Sequence, residues 1–211
     1  STVIKIMSGA HAPNEGNIYL DGKKFKQLSP LAALEAGIET VYQDLSLLPN
    51  LTVAENIALG EQLVAGKGRL LCVLDRKKIN KTAASALLKV GLNDDAELLK
   101  KTVSDLPLAI RQRVAIARAI ASDARLVIMD EPTTSLTRHE VEVLIDVVGR
   151  LLSNNVAVLF VTHKLEESYR IGGEVIVFRD GLCVAQGPLE NYSRANLSEL
   201  MTGRSIDSVL Y

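Results

Sequence analysis

The chain has 211 residues, with 24 Lys and Arg against 25 Asp and Glu and a formal net charge of -1, so it carries no basic field for generic nucleic-acid or anionic-membrane binding. A hydrophobic share of 47% with 4% aromatics and no Trp points to an aliphatic α/β-type core, in one good-sized domain or one with a subdomain. Cys72 and Cys183 suggest no disulfide framework, no apolar run reaches the roughly 18 residues of a membrane span, and the N-terminus does not read as a signal peptide, so a soluble, intracellular chain is expected.

Ser1 to Gly9 reads as a short helix stopped by its glycine. Asn14 to Gly22 sets a β-rich run between a Gly turn and an Asp-Gly turn, which predicts an edge strand. Ser29, Pro30 and Gly37 supply an N-cap, a first-position proline and a terminating glycine for a helix. Ile38 to Asp44 follows as a strand whose end presents Gln43.

From about 45 to 125 the texture is helical. Thr52 and Glu55 have capping-box spacing and open a helix to about Gly60. Gly66 to Arg69 is a loop, Asp75 to Val90 a long amphipathic helix ended by Gly91, Asn93 to Leu98 a short turn or helix, and Leu108 to Ala121 a further helix. This block interrupts strand-rich segments and is expected to be an inserted subdomain, 45–125, within a core made of 1–44 and 126–211.

Leu126 to Met129 is an unbroken apolar run that leads straight into Asp130, Glu131 and Pro132. It predicts a strand buried on both faces of a parallel sheet, with the two acids at the carboxyl end where such sheets place ligands. Either the acids serve a magnesium ion with a nucleotide, or they are solvated in a turn. Arg138 to Leu152 has helical periodicity, and Val156 to Thr162 reads as a second buried strand ending at His163, which completes a right-handed strand–helix–strand unit. A hairpin of Glu174 to Phe178 and Leu182 to Gln186 turns at Asp180-Gly181, and a last helix covers about Ala195 to Met201. Gln43, the Asp130/Glu131 pair and His163 thus each end a predicted strand, and in a parallel sheet those ends converge on one edge.

With these motifs the chain resembles the nucleotide-binding subunit of ABC transporters. Val41 to Asp44 resembles the Q-loop, Leu126 to Asp130 with Glu131 the Walker B motif and its following glutamate, Ser135-Leu136-Thr137 the D-loop, and Val161-Thr162-His163 the H-loop. Lys5 to Gly9, Leu45 to Ile57 and Leu200 to Arg204 are similar to the simple-sugar importer subgroup, where two cassettes are often fused in tandem; this one looks most like the first. The resemblance implies a P-loop NTPase-type parallel sheet core flanked by helices. It also implies magnesium-dependent ATP hydrolysis by Glu131, His163 and Gln43. Nucleotide contacts would come from Ser1, Thr2, Asp130, Gln43 and His163, and magnesium contacts from Ser1, Gln43 and Asp130. The implied partners are a second cassette, as homodimer or tandem partner, and membrane permease subunits at the cytoplasmic face, with no nucleic acid.

Two features depart from the family pattern. Ser1 and Thr2 align with the last two residues of the phosphate loop G-x-x-x-x-G-K-[ST], so a cassette truncated within that loop is expected. The signature L-S-G-G-Q is replaced by Leu106-Pro107-Leu108-Ala109-Ile110, running into a well-matched helix. Loss of its small glycines and an N–H disfavours close backbone approach to a phosphate. The rival expectations are a non-catalytic or regulatory cassette and a soluble ABC-type ATPase of DNA repair or ribosomes; the retained Glu131 and His163 oppose the first, and the lack of a coiled-coil insertion or basic tract opposes the second.

Overall fold

The computed structural model describes residues 2–20, 22–42, 44–65, 75–93 and 95–203. Ser1, Asp21, Gln43, the Gly66–Arg69 loop, Cys72, Asp94 and Arg204, all taken up above, lie outside the described residues. The chain divides into two compact units, Ser1–Val161 and Thr162–Tyr211.

The first unit opens with helix α1 (Thr2–Met7), followed by a hairpin of β1 (Ile18–Leu20) and β2 (Lys23–Phe25). Helix α2 (Pro30–Glu35) starts as its sequence requires: Ser29 Oγ accepts from the Ala32 N–H at 3.1 Å, and Pro30 takes the first position. Strand β3 (Ile38–Val41) is buried along its whole length. Helices α3 (Val53–Ala65), α4 (Arg76–Lys89), α5 (Ala96–Lys100) and α6 (Leu108–Ala121) follow, then β4 (Leu126–Asp130), α7 (Arg138–Ser153) and β5 (Ala157–Val161).

Strands β3, β4 and β5 pair in that order, all parallel, with Val41 opposite Met129 and Asp130 opposite Val161. The fold is α/β with a parallel sheet. Val127, Ile128 and Met129 are fully buried, as an unbroken apolar strand in mid-sheet should be. The second strand expected to be buried is only half-buried, since β5 pairs in this three-stranded sheet with β4 alone. Ile4, Leu28, Ala33, Ile38 and Ile128 form one core cluster, which seats α1 and α2 against β3 and β4.

Helices α3, α4 and α6 pack on one another, and α6 also packs on β3. Val114 to Ala119 of α6 are all buried, so this helix is surrounded rather than amphipathic. Helix α3 runs five residues beyond the expected stop at Gly60. That glycine is a close-approach position: a Cβ there would stand 2.6 Å from Ser122 Oγ and 3.1 Å from Glu39 Oε1. No described helix is long and apolar enough to cross a membrane.

The capping box that opens α3 is complete. The Thr52 N–H and Oγ1 each donate to Glu55 Oε2 at 2.9 Å, and the Glu55 N–H donates to Thr52 Oγ1 at 3.2 Å. The Thr52 N–H and then its hydroxyl hold the Glu55 carboxyl below its ordinary value of 4.5. A depressed folded-state pKa contributes stability above the unfolded value that is lost as the pH falls through the folded one. Melting temperature measured from pH 6 down to pH 3 should therefore fall less steeply below about 4.5 in Glu55→Gln than in the native chain. Parallel curves would show that the cap carries no linkage.

The second unit holds α8 (Leu165–Ile171), an antiparallel hairpin of β6 (Glu174–Arg179) and β7 (Leu182–Pro188), and α9 (Arg194–Thr202). Val177, Leu189 and Leu197 form its core, and Tyr169 Oη donates to the Tyr192 carbonyl at 2.7 Å across it. The hairpin and last helix follow the sequence reading; α8 and β2 were not foreseen.

Candidate functional site

Because the three central strands are parallel and in register, Val41, Asp130 and Val161 end on one edge of the sheet. The Glu131 N–H donates to the Val161 carbonyl at 2.9 Å, carrying the pairing one residue past β4. Glu131 then turns into the left-handed region at φ 48°, which for a residue with a Cβ costs roughly 1–2 kcal/mol. Its surroundings impose that conformation. The Glu131 carbonyl accepts from Thr134 Oγ1 (3.0 Å) and the Thr134 N–H (3.3 Å), and Thr134 Oγ1 also lies 3.4 Å from Glu131 Oε2. Pro132 and Thr133 are buried, and Gln112 Nε2, from α6, donates to the Pro132 carbonyl. Asp130 and Glu131 are themselves half-buried. The strand thus ends in two adjacent, half-buried carboxylates at the sheet edge, the second on a backbone held by its neighbours, a placement that suits a site holding a cation and an anionic ligand.

Thr2 is exposed in the first turn of α1. Tyr42 Oη donates to Ser8 Oγ at 2.7 Å, tying the end of that helix to the residue before Gln43. Beyond Gln43 the chain makes a strained turn with φ 63° at Leu45 and 44° at Ser46. Four contacts hold it: the Leu45 N–H to the Tyr42 carbonyl (2.8 Å), the Ser46 N–H (3.2 Å) and hydroxyl (3.0 Å) to Asp44 Oδ1, and Arg118 Nη1 to the Ser46 carbonyl (2.9 Å). Arg118 is 8% exposed, and a buried guanidinium on one backbone carbonyl is a deliberate arrangement. On the same face of α6, Ser122 Oγ donates to Glu39 Oε1 of β3 at 2.9 Å.

His163 belongs to the second unit and is exposed, two residues after β5 ends. The segment that replaces the signature motif has Leu106 buried and Pro107 capping α6 with no side-chain oxygen. Arg111 reaches back to it, Nε donating to the Leu106 carbonyl (2.7 Å) and Nη2 to the Ser104 carbonyl (2.9 Å).

Sequence reasoning singled out the acids and the histidine but passed over Gln112, Arg118 and Asn56. Each is a polar residue inside an apolar helical stripe, and that placement was the signal. Among the described residues no group of three or more His, Cys, Asp or Glu side chains is gathered as a metal cage. Magnesium needs none, because it is usually held through one or two carboxylates together with substrate phosphates, and Asp130 fits that role.

A family profile described as "ABC transporter" matches residues 1–134. The chain is 41% identical over 209 residues to a ribose import ATP-binding protein, RbsA 3, of Rubrobacter xylanophilus, covering 99% of this chain and 41% of that protein. It is 40% identical over 209 residues to an RbsA 3 of Rhizobium etli, covering 99% and 40%. The chain therefore spans about two fifths of the length of these relatives. Among solved structures, the ATP-binding cassette MJ0796, dimeric and bound to ADP and Pi, is similar with a TM-score of 0.72 and 25% identity over 89% of this chain and 79% of that one. The cassette MJ1267 in its ADP conformation shares the fold with a TM-score of 0.75 and 20% identity over 95% and 78%.

Proposed function

The chain belongs to the ABC transporter family, and from that premise we propose that it is the ATP-hydrolysing subunit of an importer for a simple sugar or related small solute. The observation that carries the reading is the Asp130–Glu131 pair at the carboxyl edge of a parallel sheet, with Glu131 held in the left-handed region. The ribose-import names of relatives matched over 99% of the chain favour a sugar as cargo.

In this reading Asp130, with Ser1 and Gln43 as further contacts, would hold magnesium, which would supply neutralisation of phosphate charge. Glu131 orients the attacking water and takes its proton. Gln43 and His163 contact the γ-phosphate side, and Thr2 contacts phosphate at the start of α1. Residues 45–125 act as a helical subdomain within a core of 1–44 and 126–211. A second cassette completes the site, and the permease docks on the segment after Gln43, where Leu48 is 45% exposed, and holds the cassette at the cytoplasmic face of the membrane.

The test reconstitutes the intact protein with its permease in liposomes and follows MgATP turnover and ribose uptake together. Turnover that rises with external ribose and accompanies its accumulation supports the importer. ATP binding without turnover would sink it in favour of a regulatory cassette, as the replaced segment Leu106–Ile110 would then govern.

A further inference from the structure

Glu167 is a charged residue that the proposed chemistry does not use, yet it is only 5% exposed. Helix α8 gains little from a buried acid at this point, because Glu166 beside it already offers an exposed carboxylate to the helix start. A buried carboxylate is costly unless it is paired and hydrogen-bonded, so its partners identify its role. One oxygen, Oε2, accepts from Thr162 Oγ1 at 2.9 Å. The other, Oε1, lies 3.4 Å from Lys164 Nζ. Thr162 Oγ1 in turn accepts from the Lys164 N–H at 3.0 Å, closing a tight turn over the residue between them.

That intervening residue is His163, exposed while both of its neighbours are fastened to one buried side chain. We infer that Glu167 is a positioning residue for His163, holding the turn Thr162–Lys164 from which the imidazole is presented. This rests on the reading of His163 as a γ-phosphate contact. Glu167 itself touches no reacting atom. Its carboxylate fixes the Thr162 hydroxyl as a donor, which leaves that oxygen's lone pairs for the Lys164 N–H and so sets the backbone on either side of His163. A displacement of about 1 Å at a reacting group is enough to cost of the order of a hundredfold in rate.

The test measures MgATP turnover of the intact protein for Glu167→Ala, Glu167→Gln, Thr162→Val, His163→Ala and the double variant His163→Ala/Glu167→Ala, each checked by melting temperature. Glu167→Ala should lower kcat by about ten- to hundredfold with KM for MgATP moved by no more than about twofold. Glu167→Gln keeps a carbonyl oxygen for the Thr162 hydroxyl and should recover most of the loss, while Thr162→Val should reproduce it. Because Glu167 acts through His163, the double variant should be no slower than His163→Ala alone. A double variant slowed by the product of the two single effects would overturn the inference and leave the histidine's role standing. A silent His163→Ala would sink the reading of the histidine, and the positioning role with it.

Discussion

Glu131→Gln is expected to leave MgATP bound while lowering its turnover by about 10²–10⁴-fold, the range that a positioned general base supplies. The substitution is a clean one at this site. The backbone that aims the residue is fixed by the Val161 carbonyl, by Thr134 and by the buried Pro132–Thr133 turn, none of which depends on the carboxylate charge. Glutamine keeps the shape and can still sit beside Thr134 Oγ1, but it cannot accept a proton from water. Single-turnover hydrolysis and equilibrium nucleotide binding on the same sample separate the two effects. Retained binding with turnover lost assigns the base. Turnover within threefold of the native chain would remove Glu131 from the chemistry.

Asn56→Ala should destabilise the first unit by about 2 kcal/mol, or a fall of about 4–8 °C in melting temperature. Asn56 is 0% exposed. Its Oδ1 accepts from the Leu48 N–H at 2.8 Å, and its Nδ2 reaches the carbonyls of Leu48 (3.0 Å), Thr52 (3.0 Å) and Leu51 (3.3 Å). One side chain on α3 thereby ties down the loop that carries Leu47, Leu48 and Pro49; truncating it removes the partner of the Leu48 N–H, while the carbonyls of Leu48, Leu51 and Thr52 keep the backbone N–H groups of Leu51, Val103 and Asn56. Asn56→Asp adds a sign test. A carboxylate there would face three carbonyl oxygens, so its folded-state pKa lies above the unfolded one, near 3.9. The variant should accordingly regain stability as the pH falls and lose it as the pH rises through the folded value. If Asn56→Ala melts within 2 °C of the native chain, the loop is organised by something other than this amide.

The sheet and its acids were legible because β4 announces itself twice, by an unbroken apolar run and by the break at Pro132. The same logic found the helices whose ends carry chemical signals, such as Ser29-Pro30 and the Thr52/Glu55 box. It failed where a local signal had a tertiary cause. Gly60 reads as a helix stop, yet it lies inside α3 because only a glycine fits beside Ser122 and Glu39. Lys23-Lys24-Phe25 is too short and basic to read as a strand, and becomes one by pairing with Ile18–Leu20. Helix α8 was overlooked because its seven residues are too few to show a period. The fixings of the site were hidden for a different reason. Arg118 meets Ser46 across 72 positions of chain and Gln112 meets Pro132 across 20, and no spacing rule reaches so far.

Those two bonds, with Ser122 on Glu39, give α6 three handholds: one within β3, one on the turn that leaves it, and one on the turn that leaves β4. Over 14 residues at 1.5 Å each the helix is a rod of about 21 Å, with Gln112 and Arg118 along it, Ser122 capping one end and Leu108 at the other. A rod gripped at three points cannot turn or slide at one of them alone. The turn at Leu45–Ser46 and the Pro132 turn beside Glu131 are thus bonded to one and the same helix, whose tip is Leu108. The mechanical unit of this protein is therefore neither strand end but the helix that holds both.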